Sequence, residues 1–162
     1  MDAASRQLIQ VKLLGWGVAA QPIAPGVDIG QDVAFSGGDL ATVSGMDNLG
    51  QDLTLALTTG LGMDPFNVNF GFDGINALME ETTPMLARER VRISVIKLLN
   101  ADPRVRRILD VKLLDGRLGP LSADNGSSTD TGTQRVLDVR VAFETVTGDQ
   151  SVVNLGQVNL NG

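Results

Sequence analysis

The side chains able to do chemistry in this 162-residue chain are few, because it contains neither histidine nor cysteine. Ser-His-Asp and Cys-His catalysis, thiolate chemistry, disulfides and His-bearing zinc sites are thereby excluded. Acid/base work would fall to carboxylates, and the candidate set is Glu80 and Glu81 with Asp64 and Asp73. Two-carboxylate glycoside hydrolysis needs groups roughly 5–9 Å apart across a cleft, one with a raised pKa. Adjacent Glu80 and Glu81 would point apart on a helix. Just ahead of Thr83-Pro84 they suit a helix N-terminus, whose dipole favours acids. Gly26, Gly30 and the Gly37-Gly38 pair do not open a helix at phosphate-binding spacing. The remaining chemistry is recognition. Arg104 of Asp102-Pro103-Arg104 offers a planar fork suited to carboxylates or backbone carbonyls. The plainer alternative is a helix-to-strand turn with Pro103 as the breaker.

Charge is unevenly placed. Between Arg88 and Arg117 the chain is +5, and the remainder is −11, within a total of −6. Solvated helix and strand faces are the plain reading of that segment. The sharper one is a basic patch that docks an acidic partner. Nucleic acid fits less well, because the whole chain is acidic and poor in aromatic side chains for base stacking. An apolar content of 43% supports a real core and argues against disorder over most of the length. No apolar run approaches the roughly 18 residues that span a bilayer, and Met1 to Arg6 does not open a secretory leader. No membrane partner, metal or cofactor is expected.

Positioning falls to elements that the pattern makes visible. Residues 1–38 read as an extended N-terminal arm. Leu8 to Leu14 alternate as a strand, Trp16 is expected as a packing anchor, and glycines and prolines punctuate the rest. Residues 48–59 form a helix with Leu49, Leu53, Ala56 and Leu57 on one face. Asp47 or Asn48 caps it, Gln51 takes the capping-box position, and Gly60 suits a left-handed C-terminal stop. Asp64-Pro65 makes a turn, and Gly74 to Glu80 a short helix. Residues 84–100 form the longest helix, with Thr83 as N-cap, Pro84 in the first position, and Ala87, Val91, Val95, Leu98 and Leu99 facing inward.

After Pro103 the period changes to two. Val105, Leu109, Val111 and Leu113 share one strand face, and Leu137, Val139, Val141 and Phe143 share another. These two strands should pair antiparallel. The segment at about 119–133 between them lacks large apolar residues over Ser122–Gly132 and reads as a flexible loop. Val152–Leu155 and Val158–Leu160 supply a last edge strand. The fold class is α+β: two main helices on a small, mostly antiparallel sheet in one domain, 39–162, preceded by the arm.

The order of these pieces resembles the sheath-initiator and baseplate-wedge family of contractile phage tails, with relatives in type VI secretion and extracellular contractile injection systems. The resemblance rests on Asp39-Leu40, Gly45, Asn48-Leu49, Gln51, Leu57, Thr59, Gly60, Phe70-Gly71 and Asp102-Pro103-Arg104. It runs from Asp39 to Leu113. Phe70 stands where tyrosine is commoner, and Asp102 where glutamate is commoner. The resemblance implies a structural, non-enzymatic baseplate component that nucleates the sheath by offering a β-sheet edge. It implies a place in the virion's tail baseplate after assembly in the host cytoplasm, or in an injection-system particle, at roughly six copies or a multiple. Asp102, Pro103 and Arg104 would meet other wedge proteins, and the strand residues from Val105 to Phe143 named above would meet the sheath protein. Tube or hub proteins are further neighbours. Other readings are a tail-associated, lysozyme-like cell-wall hydrolase, or an acidic adaptor unrelated to tails.

Overall fold

The computed structural model describes residues 2–22, 31–74, 83–115 and 136–159. The chain opens with helix α1, Ala3–Leu14, where alternation predicts a strand. Ala3, Ala4, Arg6, Gln7, Gln10 and Lys12 are strong helix formers, and this propensity overrides a short alternating run. Leu14 is fully buried at the end of α1. Gly15, at φ 83°, stops the helix and donates its N–H to Val11 O at 3.0 Å.

Among the described residues six short strands follow: β1 Trp16–Val18, β2 Ala20–Pro22, β3 Gln31–Val33, β4 Phe35–Ser36, β5 Asp39–Leu40 and β6 Thr42–Ser44. They pair as three antiparallel ribbons, β1 with β6, β2 with β3, and β4 with β5. The ribbons meet at three alanines whose backbones close a ring. Ala19 N–H donates to Ala41 O (2.8 Å), Ala41 N–H to Ala34 O (2.9 Å) and Ala34 N–H to Ala19 O (2.8 Å). The expected extended arm is therefore a helix and a three-way junction of ribbons. Trp16 is not a packing anchor: it is 69% exposed. On a two-stranded ribbon only one face can be covered, and Trp16 lies opposite Ser44 in the register.

Helix α2, Met46–Thr58, buries Leu49, Leu53, Ala56 and Leu57, as the spacing predicts. Its cap differs from expectation. Gly45, at φ 66°, is the N-cap, so Asn48 and Gln51 lie within the first turns. Extended Thr59 closes the helix, its hydroxyl donating to Leu55 O at 2.7 Å, and Gly60 does not take the left-handed stop. Helix α3, Pro84–Ala101, buries Ala87, Val91, Val95 and Leu99, with Leu98 half-buried. Thr83 precedes it without a side-chain capping bond. The expected helix at Gly74–Glu80 lies largely outside the described residues.

Strands β7 Val105–Asp115, β8 Val136–Thr145 and β9 Gln150–Asn159 form an antiparallel sheet with β8 in the middle. The expected final edge strand is thus present as β9. Two register shifts interrupt β7, between Val105 and Arg107 and between Ile108 and Asp110. Each extra residue resets the alternation. Ile108 therefore packs against the core, and Leu109, expected inside, is 41% exposed. Val111, Leu113, Val139, Val141, Phe143 and Val153 close over Leu49, Leu53 and Leu57 of α2 and Val91, Val95 and Leu99 of α3. The fold is α+β, small antiparallel sheets with helices packed on them. Among the described residues it has three helices where two main ones were expected. The loop expected at 119–133 lies outside the described residues.

Candidate functional site: an arginine clamp beside a groove

Helix α3 ends because Pro103 disfavours helical backbone at Asp102, which is extended at φ −85°, ψ 116°. The carboxylate then folds over the turn it follows. Asp102 Oδ1 accepts the Arg104 backbone N–H at 2.9 Å and Arg104 Nε–H at 3.0 Å, and Oδ2 accepts Nη2–H at 2.7 Å. This is a two-point carboxylate–guanidinium pair, the stronger and more directional kind.

The other side of the guanidinium reaches far along the chain. Arg104 Nη1 donates to Asp52 Oδ2 at 2.7 Å on α2 and to Leu14 O at 3.2 Å at the end of α1. The Arg104 carbonyl accepts the Val146 N–H at 3.0 Å, fastening the turn between β8 and β9. One side chain thus joins α1, α2 and the α3–β7 turn. Burial alone would push the Asp102 carboxyl up. The side-chain bond, the backbone bond and the charge of Arg104 outweigh it and hold the group below the usual aspartate range. Its bonds to Asp102, followed by those to Asp52, push the Arg104 guanidinium the other way, further from deprotonation.

Two more polar side chains of α2 complete the fastening. Asn48 is buried, and its Nδ2 donates to Leu14 O and to Asp52 Oδ2, both at 3.2 Å. Gly17 lets β1 come this close, since a Cβ there would sit 2.8 Å from Asn48 Oδ1. Gln51 Nε2 donates to Val18 O at 2.8 Å, and Gln51 Oε1 accepts the Ala20 N–H at 2.7 Å. It acts as an amide bridge across the β1–β2 link rather than as a capping partner. Asn48, Gln51 and Asp52 recur at the i, i+3, i+4 spacing of one helix face, and that was the available signal for all three.

Arg104 was expected to present its fork to a partner. That expectation changes, because Nε, Nη1 and Nη2 all donate within the chain. What the turn presents outward is Pro103, which is exposed. Asp102, Pro103 and Arg104 form one end of a groove of about 590 Å3 floored by Leu55 and Ala56 of α2, with Leu98 and Phe70 on its sides. Phe70 and Gly71 are held close by the Gly60–Phe72 bridge. A Cβ on Gly71, already at φ 112°, would meet the Thr59 and Gly60 carbonyl oxygens at 2.7 Å.

Of the expected sheath-facing residues, Val105 directly follows the clamp, its N–H donating to Asp102 O at 3.1 Å, and the others lie further along β7 and β8. Val111, Leu113, Val139, Val141 and Phe143 are buried against the helices, Val105 is half-buried and Leu109 faces solvent. Leu137 lies on β8, and its side chain is outside the described residues. Docking by these strands would therefore run through backbone edges, not these buried side chains. Of the four carboxylates weighed for acid/base chemistry, Glu80 and Glu81 lie outside the described residues. Asp64 closes a turn, its Oδ1 accepting the Phe66 N–H at 2.9 Å. Among the described residues no cluster of three or more acidic side chains is arranged to hold a metal ion, and no helix is long and apolar enough to cross a membrane. No family model matches the chain, and no curated protein matches it.

Proposed function

We propose that this chain is a structural component of a contractile-tail baseplate that starts sheath assembly by strand addition. The observation that carries the reading is the β7–β8–β9 sheet. Its outer strands are 11 and 10 residues long, each pairs on one side only among the described residues, and two helices back one face. An unpaired strand edge is normally an aggregation liability, but in an assembly protein it is a template for β-augmentation. The ordered pieces from Asp39 to Arg104 that resemble the sheath-initiator family support the same reading.

In this reading the sheath protein adds its strands at the sheet edge, and wedge proteins meet Pro103 and the groove beside the clamp. Arg104 and Asp102 shape that groove rather than gripping the partner directly. The chain takes no cofactor, catalyses no reaction, and sits in a virion baseplate or an injection-system particle at roughly six copies or a multiple. The test is co-expression with contractile-tail sheath and wedge proteins from the same source, followed by electron microscopy and co-purification. Sheath should polymerise from complexes containing the natural chain. Unchanged sheath initiation in its absence, or peptidoglycan release by the purified chain, would sink the reading.

A further inference from the structure

The solvent face of the β7–β8–β9 sheet carries charges that the described contacts leave unbalanced. Arg106 Nη1 and Arg107 Nη2 both donate to Glu144, at 3.2 and 2.6 Å, so two cations share one carboxylate. Both arginines remain largely exposed. Further along, Lys112 and Arg140 stand directly opposite each other in the β7–β8 register. Lys112 pairs with Asp110 on its own strand at 3.3 Å. Arg140 is exposed. Like charges directly across a strand pair repel each other, so this arrangement costs the free chain stability. The row between the two groups runs from Asp110, whose carboxylate is paired with Lys112, through half-buried Ala142 opposite it to Val152 on β9, which is 58% exposed.

We infer that this sheet face is a docking surface for an acidic polypeptide segment, seated with its carboxylates between Lys112 and Arg140 and beside Arg107. Charge complementarity selects the occupant. A carboxylate placed between the opposed cations turns their repulsion into two attractions, and Val152 offers apolar contact at the centre. A nucleic acid is disfavoured, because the side chains named on this face include no aromatic ring for base stacking and the chain as a whole carries −6. The inference does not rest on strand addition, which uses an edge of the sheet where this uses its face.

The experiment measures binding of a glutamate-rich peptide, as long as β8, to the full chain by fluorescence anisotropy at low and physiological salt. Binding should weaken with salt. Arg140→Gln and Lys112→Gln should each weaken it about fivefold, which is what one contact ion pair contributes in water. Arg140→Gln should not lower the melting temperature, since it removes a repulsion, whereas Lys112→Gln also loses the ion pair with Asp110 and is read by binding alone. Lys97→Gln, an equal charge change on exposed α3 surface, should leave binding unchanged. The inference is overturned by no peptide binding, by unchanged binding of Arg140→Gln, by equal weakening in Lys97→Gln, or by a lower melting temperature in Arg140→Gln. Equally tight binding of single-stranded DNA would overturn it in favour of a phosphate surface.

Discussion

The segment before α2 and the body that begins with it are held by different forces. From α2 onward, leucines, valines and Phe143 of two helices and three strands, with Phe72 of the Gly60–Phe72 bridge, close on each other with little polar chemistry inside. Before α2, among the described residues only Leu14 joins that core, and Leu8, Trp16 and Phe35 are 72%, 69% and 73% exposed. That segment is fastened by polar bonds: Arg104 and Asn48 on the Leu14 carbonyl, Gln51 on the β1–β2 link, and Gln10 on Asp149 at 2.8 Å. Hydrophobic packing is non-directional and sums over many atoms. A polar clamp is directional and concentrated in a few groups. The body should therefore unfold as one unit, while the segment before it should detach when a few bonds are lost.

The largest expected effect tests the body. Phe143 is fully buried on β8, the middle strand of the sheet. Phe143→Ala should cost about 3–5 kcal/mol through lost burial and the cavity left behind. Circular dichroism should show one earlier, still cooperative melt. A variant that lost only α1 signal would break the distinction between the two regions.

Arg104→Ala tests the fastening. It strips partners from Asp102, Asp52 and the Leu14 carbonyl together. Breaking a buried pair costs about 3–5 kcal/mol, but this guanidinium is 24% exposed, so about 2 kcal/mol is the expected loss. Hydrogen exchange should rise first in α1 and the ribbons, with α3 and β8 still protected. Arg104→Lys should recover little, because an ammonium cannot hold a carboxylate at two points while reaching Leu14 O. Equal loss of protection everywhere would make the first 44 residues an integral part of the core. Gln51→Ala should be milder, at about 1 kcal/mol, loosening β1 and β2 while α1 keeps its protection.

The difference between the regions also explains what was legible beforehand. Periodicity reports burial, so Leu49, Leu53 and Leu57 on α2, Val91, Val95 and Leu99 on α3, and Val139, Val141 and Phe143 on β8 were placed correctly by spacing alone. Leu109 departs from the alternation because the first register shift reverses it and the second restores it, so Ile108 faces inward while Val111 and Leu113 keep their expected places, and neither shift leaves a local mark. The segment before α2 was misread for a deeper reason. With few buried apolar residues, its pattern carries little information, and helix propensity decides α1. Arg104 and its neighbour Asp102 are visible as a motif, but the other partners of Arg104 lie 52 and 90 residues away, beyond any local rule. Asn48, Gln51 and Asp52 sat on one helix face as a visible triplet; what they would touch was set by tertiary structure.

The smallest effect separates the two carboxylates of the clamp. Asp102 is held below the usual aspartate range, so its ionised form is favoured by folding. Its contribution is fully present above the unfolded aspartate value of about 3.9 and is lost as pH falls through the lower folded value. Acid should thus loosen the clamp without fully releasing it, because the Arg104 bond to the Leu14 carbonyl does not titrate. The expected result is a gradual rise in α1 hydrogen exchange below about pH 4, with β8 protection changing less. Asp102→Asn should flatten that rise while leaving the acid response of the rest of the chain in place. An equally steep rise in Asp102→Asn would move the acid sensitivity to another carboxylate. Asp149 is the one to try next, since its bonds to Gln10 and Thr147 also hold it low and it too fastens α1.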